Sequence, residues 1–458
     1  MLQTVRTLAL PRKPIQPIHE HTDLAKRSAP LPPGMSPKKA HEVEQLSYLI
    51  SNVISNTALR TSSIRHVVDA GAGQGHLARA LSSPPHSLHV LALDSNTIQT
   101  DSAQRWDKRA QKDKSKKEAK KKAVPESASE NVQIEDGRAS QGSIRHSTVR
   151  ITPETLPAII DSWFRDGFSA PRPNEFGESE PIAPVLLVGL HACGSLTPSV
   201  LRSFISLNNR SPEPSAEGSL WKPAGLVIVG CCYNLMDSCD FPLSDHFKTQ
   251  CPSLPALGHN HLQLAAQCPA LWLSSPPERA RFKLARRKAV FRALLGRTLE
   301  RLVPSVSDAG RVVGRLNDAA YESWETFLTV VGTRLGVDLL NGQQFDFPSA
   351  SVAAPAAATA GAVDTRSKDA NLSYKLEILH VLRCLVGSLV EDLIVVDRYM
   401  YLLEECSALP FAAEDDERGM TGAGEWEVNV VNVFDQLTGS ARNIALVVSP
   451  ADFKGGEK

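Results

Sequence analysis

The feature that most narrows what this chain can fold into is a glycine-rich turn set between a strand pattern and a helix pattern. His66–Ala70 reads His-Val-Val-Asp-Ala, an apolar run that carries one acid near its end. Asp69-Ala-Gly71-Ala-Gly73-Gln-Gly75 continues from it without a break, and Leu77–Leu81 opens a helix. Glycines at alternate positions let the backbone turn tightly and come close to a ligand. The same strand-then-helix alternation recurs. His89–Asp94 is a second apolar run ending in an acid, Thr148–Ile151 a third, Val185–Leu190 a fourth and Leu226–Val229 a fifth. Continuous apolar strands alternating with helices indicate a parallel sheet covered on both faces. Val428–Phe434 and Ile444–Val448 add two strands, expected as an antiparallel hairpin at the sheet edge joined through Gly439. The fold class expected is therefore α/β, a Rossmann-like, seven-stranded, mostly parallel sheet.

A helix is expected before the first strand. Ser36 suits its N-cap and Pro37 its first position, and Val43, Leu46, Leu49, Ile50 and Ile54 recur at helical spacing. Four blocks follow from the pattern. Residues 1–33 are Pro-rich and aperiodic and read as disordered or draped on the surface. Residues 34–245 form the core, interrupted by a basic insertion at 101–147 read as disordered. Residues 246–424 form a mostly helical insertion between strands five and six, with helices at 278–300, 311–336 and 374–407 and a linker at 345–370. Residues 425–452 complete the sheet.

Charge and cysteines bound the functional classes. The chain has 458 residues with Lys+Arg and Asp+Glu at 50 each, so only local patches can speak for a nucleic-acid partner. One such patch is 107–122, with nine basic and three acidic residues, whose basic part 108–122 either contacts phosphates or is a solvated tail. Eight cysteines with no Cys-x-x-Cys pair suit a reducing compartment, cytoplasm or nucleus. A mitochondrial presequence is disfavoured because Pro11, Pro14 and Pro17 would break its helix. The apolar stretch Leu376–Leu403 is not a membrane span, because Arg383, Glu391, Asp392, Asp397 and Arg398 interrupt it. The pairs Glu391–Arg398 and Asp397–Arg398 are expected instead to form a buried ionic network.

The glycine turn points to a nucleoside cofactor. Backbone N–H groups at the start of the following helix suit a carboxylate such as the one on S-adenosylmethionine. Asp69 is placed to receive the cofactor's amino group, Asp94 to accept both ribose hydroxyls, and Ser95 and Asn96 to edge the adenine. A dinucleotide fingerprint would need a glycine where His76 stands, and no Gly-Lys-Ser/Thr phosphate loop is present. The alternative is a turn whose glycines only permit close packing.

The remaining polar residues at strand ends share that edge, where open parallel sheets bind ligands. Strand four runs into Gly189-Leu-His191-Ala-Cys193-Gly194, and strand five into Gly230-Cys231-Cys232-Tyr233-Asn234. His191 is a candidate general base, or a histidine satisfied by a loop carbonyl. Tyr233 and Asn234 are candidates for orienting an acceptor. Cys193, Cys231 and Cys232 read as small apolar packing residues. With His191 they have zinc-ligand types, but the adjacent pair makes tetrahedral closure awkward, so no metal is assigned. The Asn/Asp-Pro-Pro-aromatic tetrad of adenine N6 methyltransferases is absent after strand four.

At these residues the chain resembles the methyltransferase-like protein 25 family, which includes relatives named for a ribosomal RNA adenine dimethylase domain. The resemblance is carried by Met35–Val43, the turn at 69–75, Gly189–Gly194 and Gly230–Tyr233. It extends to Phe241–Ser244, Glu391–Leu403 and Ala441–Asn443. It covers about residues 34–450 apart from the insertions. Ser195 stands where an acid commonly follows the Cys-Gly pair, and Gly439-Ser440 replaces a Ser-Pro. The resemblance implies a class I methyltransferase fold that uses S-adenosylmethionine. His-x-Cys-Gly and Cys-Cys-aromatic are also similar to motifs of tRNA ribose 2′-O-methyltransferases, whose zinc-finger modules are missing here. The expectation is a methyltransferase acting on RNA, with ribose 2′-oxygen as the best-specified acceptor, or on protein. The alternative is a non-catalytic scaffold that binds cofactor.

Overall fold

The computed structural model describes residues 5, 7–14, 35–58, 63–122, 142–167, 182–209, 220–253, 256–302, 313–340, 365–409, 425–437 and 439–451. The chain divides into two compact units. One comprises Met1–Leu8 and Gln267–Ser388, the other Ala9–Ala266 and Leu389–Lys458.

The larger unit is the sheet. Helix α1 (Pro37–Ala58) begins as expected, with Lys39 N–H donating to Ser36 Oγ at 3.2 Å. Strands β1 (His66–Ala70), β2 (His89–Asp94), β3 (Ser143–Thr148), β4 (Ala183–Cys193), β5 (Trp221–Cys231), β6 (Trp426–Asn432) and β7 (Ile444–Pro450) form one sheet in the order β3-β2-β1-β4-β5-β7-β6. The first five are parallel, and β7 runs antiparallel to both β5 and β6. The expected Rossmann-like sheet and its C-terminal hairpin are thus present.

Side chains alternate across the pleat, so each strand feeds two cores. Val67 packs with Val43, Leu46 and Ile50 of α1 and Leu77 and Leu81 of helix α2 (His76–Ser82). Val68 and Ala70 face the other way. They pack with helices α4 (Thr155–Gly167) and α5 (Leu196–Asn208) through Ile160, Trp163, Val200 and Phe204. Asp69 shares the α1 side with Val67, which fixes its neighbours. Two short helices, α6 (Asp245–Gln250) and α7 (His259–Ala265), follow β5.

The smaller unit holds helix α8 (Pro276–Leu302), helix α9 (Trp324–Leu335) and the first part of the long helix α10 (Thr365–Ser407), whose residues from Leu389 belong to the sheet unit. Its core is an aromatic cluster of Phe291, Tyr321, Trp324 and Phe327.

Several expectations are corrected. The insertion at 101–147 is not disordered throughout: helix α3 (Thr97–Lys122) carries the basic run, because Lys, Ala, Gln and Arg propagate a helix well. The third strand is Ser143–Thr148, not Thr148–Ile151. Helix does not fill 311–336: residues 313–317 are irregular, and a single 3-10 turn, Asp318–Tyr321, precedes α9. The linker expected at 345–370 is already helical from Thr365, and its remainder lies outside the described residues. Residues 1–33 are not loose at Leu10–Arg12. Leu10 N–H donates to Asp392 at 3.0 Å, Arg12 pairs with Glu391 at 3.2 Å and with Asp392, and Asn432 and Asn443 donate to the Pro11 and Arg12 carbonyls at 2.8 Å.

The ionic network on α10 is buried as expected but wired differently. Glu391 pairs with Arg12 and, at 3.8 Å, with Arg442. Asp397 accepts the N–H groups of Leu243 and Ser244 and the Ser244 hydroxyl at 2.8–3.0 Å. Arg398 lies over the Tyr233 ring, 5.3 Å from its centre. No helix among the described residues is long and apolar enough to cross a membrane.

Candidate functional site

The glycine turn leaves the end of β1 in a conformation that its residue types require. Gly71, Gly73 and Gly75 have φ of +76°, +54° and +72°, the left-handed region that side chains disfavour. The N–H groups of Gly71 and Ala72 both donate to Leu93 O, at 2.8 and 2.9 Å, which pins the turn to β2. Asp94 finishes the clamp: its Oδ2 accepts Gly73 N–H at 2.9 Å and its Oδ1 accepts Asn96 N–H at 2.8 Å. A Cβ on Gly71 would lie 2.8 Å from Leu196 Cδ2, whereas one on Gly73 would meet nothing within 4 Å. The backbone at Gly73 therefore borders open space. Ser95 and Asn96 are exposed beside it.

Asp69 stands near the end of β1, two residues before Gly71. It is 2% exposed, and its Oδ2 has no hydrogen-bond partner. Burial pushes its carboxyl up to about 7. Lys39 of α1 pulls the other way, and Asp94 adds to the rise. A buried carboxylate oxygen without a partner costs folding energy, and an ammonium group would relieve it.

His191 sits at an irregularity in β4. The β4–β5 register shifts between Gly189 and Ala192, so a bulge re-aims the strand at the histidine. Its Nε2 lies 3.0 Å from Glu42 Oε2, and Lys39 Nζ is 3.8 Å from the same oxygen. Glu42 is 3% exposed while His191 is half-buried, so the acid anchors the ring from within. Burial lowers the Lys39 pKa, with Glu42 opposing the shift. Neither of the two readings of His191 foresaw Glu42. Its one sequence signal was its position next to Val43, on the edge of the buried stripe of α1.

The two acceptor-orienting candidates part company. Tyr233 is buried, with its hydroxyl 3.5 Å from Glu391 and its ring under Arg398. It belongs to the α10 network, and burial there raises its pKa. Asn234 is half-buried one residue further on. Ser195 exchanges hydrogen bonds with Asp237, at 3.1 Å to the side chain and 2.9 Å from the backbone N–H.

The three cysteines converge. Cys193 Sγ is 3.1 Å from Cys231 Sγ and 3.5 Å from Cys232 Sγ. All three are free thiols. Hydrogen bonding of the Cys231 thiol to Cys193 and Cys232, then burial, pushes that thiol's pKa up.

The candidate cofactor residues Asp69, Gly71, Gly73, Gly75 and Asp94 thus share the carboxyl edge of β1 and β2. His191 lies at the corresponding edge of β4, and its carbonyl oxygen would be 3.6 Å from a Cβ on Gly71. No solved structure matches the chain. Residues 38–239, from α1 to just beyond β5, match the family model described as a methyltransferase domain, and with the seven-stranded sheet this supports a class I methyltransferase domain in that stretch.

Proposed function

We propose that this chain binds S-adenosylmethionine at the β1–β2–β4 edge and transfers its methyl group to a ribose 2′-hydroxyl of RNA. The observation that carries the reading is the clamped glycine turn. It has open space over Gly73, an unpartnered buried carboxylate oxygen on Asp69 at one end and Asp94 at the other. The bound cofactor supplies an electrophilic methyl on a sulfonium. Asp69 receives its ammonium, the turn from Gly71 to Gly75 admits its backbone-like end, Asp94 accepts the ribose hydroxyls and Ser95 edges the adenine. Asp94 keeps this capacity because each carboxylate oxygen accepts more than one hydrogen bond.

Displacement at a methyl group is in line, so the protein's remaining task is to hold an acceptor and take its proton. A hydroxyl acceptor needs a base. His191, anchored by Glu42 at 3.0 Å, is our candidate for that base, and Asn234 our candidate for orienting the acceptor. The RNA reading draws on the His-x-Cys-Gly and Cys-Cys-aromatic resemblance. It also draws on the exposed side chains of Lys108, Arg109, Lys112 and Lys116 on α3. Tyr233 is left out of the chemistry because it is buried within the ionic network.

Titration calorimetry with S-adenosylmethionine and S-adenosylhomocysteine tests the pocket. Wild type binds, and Asp94→Ala binds at least about tenfold more weakly, as losing one or two hydrogen bonds to a charged group implies. Labelled-methyl transfer to RNA, followed by nucleoside digestion, tests the acceptor. Label in 2′-O-methylnucleosides is expected. Label only in protein would move the acceptor there, and binding without any labelling would favour a scaffold.

A further inference from the structure

We propose that Cys193, Cys231 and Cys232 form a binding site for one thiophilic divalent ion, with Zn2+ as its natural occupant. The site is built by strand pairing. Cys193 and Cys231 end neighbouring parallel strands and are register partners across the β4–β5 ladder. Cys232 follows with φ of +48°, a left-handed turn that a non-glycine residue rarely adopts. That turn answers the difficulty of two adjacent ligands. In an extended strand successive side chains point to opposite faces, and here the turn brings the second thiol to the first.

The distances fit a metal after a small adjustment. The three Sγ atoms all lie within 4.8 Å of one another, with Cys193 at 3.1 and 3.5 Å from the other two. Sulfurs on a tetrahedral zinc sit about 3.8 Å apart for a Zn–S bond of about 2.3 Å. Each pair therefore needs to move by no more than about 1 Å. On binding, the three thiols release their protons to solvent, and the ion with three thiolates carries a net charge of −1.

The surroundings suit that charge. Arg442 is 7% exposed, and its Nη1 lacks a hydrogen-bond partner. Its charge acts on Cys232, and that of Lys39 on Cys193 and Cys231. A buried donor without a partner beside a thiol cluster is the kind of outer-shell group that supports a metal thiolate. Cys193 and Cys232 are half-buried, so the fourth coordination position is open to water, as in zinc sites with three protein ligands. The inference does not rest on methyl transfer.

Metal uptake by the reduced, full-length protein tests it. After chelator treatment, Zn2+ is titrated against a competing chromophoric chelator. Co2+ is titrated in parallel and read by its thiolate charge-transfer absorption. Wild type is expected to take up about one ion per chain, with intense visible bands of tetrahedral Co2+. Cys193→Ser and Cys232→Ser, both at half-buried positions and checked for folding by circular dichroism, should weaken uptake by about 100-fold. Cys239→Ser and Cys251→Ser should keep it. Folded wild type that takes up no ion would overturn the proposal. So would unchanged uptake in the Cys193 and Cys232 variants, or a mass measurement showing Cys193 and Cys231 joined as a disulfide in freshly purified protein.

Discussion

Asp69 and Asp94 are both acids at strand ends, yet their surroundings differ. Asp94 is half-buried and engaged by two backbone N–H groups, whereas Asp69 is 2% exposed with one carboxylate oxygen unpartnered. The Asp69 carboxyl rises from an ordinary 3.8 to about 7 on folding, so between those values the folded chain holds a proton that the unfolded chain has released. Its contribution to stability is therefore present below pH 3.8, is lost as pH rises through about 7, and is constant above. Melting of the apo protein between pH 5.5 and 7.5 should show a decline in wild type that Asp69→Asn lacks. Cofactor binding should run the other way. An ammonium favours the ionised carboxylate, whose fraction grows about eightfold from pH 6 to 7.5 for a pKa near 7, and affinity should follow. A flat affinity profile in wild type would remove Asp69 from contact with the cofactor. Both acids stand out in the sequence because each sits at or near the end of an apolar run. Glu42 does not, since its partner lies 149 residues away and only folding brings them together. Tyr233 misled for the reverse reason: its place after a strand says nothing about the α10 network that buries it.

Elements place these residues, and two of them carry predictions of their own. Helix α1 gives Glu42 to the bulge in β4, so Glu42→Gln removes the anchoring charge behind His191 without touching the glycine turn. The expected result is a fall of about 10- to 100-fold in kcat with the cofactor Kd unchanged, measured by single-turnover methyl transfer and calorimetry. An equal loss in cofactor affinity would mean that Glu42 holds the turn instead. Helix α3 offers Lys108, Arg109, Lys112 and Lys116, all exposed. If they lie along RNA, changing all four to Gln should lower the slope of log affinity against log salt by about 3, at about 0.7 per single-strand phosphate. Asp107 is to be spared, because it is tied to Arg79 at 2.9 Å and to His146 at 2.6 Å. An unchanged slope would return the run to a solvated helix. The charge of this run points to disorder, whereas its Lys, Ala, Gln and Arg residues carry the helix. Strand β3 differs from its expected place for a related reason. Ser143–Thr148 is a polar edge strand, half-buried along most of its length, while the apolar Val149 and Ile151 that drew the eye lie just past it.

The whole molecule holds two kinds of core. The sheet unit buries Val67, Val68, Leu91, Leu187 and their neighbours against helices on both faces, and the other unit closes on Phe291, Tyr321, Trp324 and Phe327. The alternation of strands predicted the first core from sequence. The second was legible only as helices, because periodicity shows which face is apolar and not what it meets. A ligand stabilises the part of the protein whose folding builds its site, by about 2.7 kcal/mol at a hundred times its Kd. Native-state hydrogen exchange with saturating S-adenosylhomocysteine should therefore slow the amides of β1, β2 and β4 by about 100-fold where they exchange through opening of the sheet unit. Amides in α8 and α9 should exchange at their unliganded rates. Protection gained equally in α8 and α9 would show the two units opening together. Protection in neither would show that the turn at 69–75 does not hold this ligand.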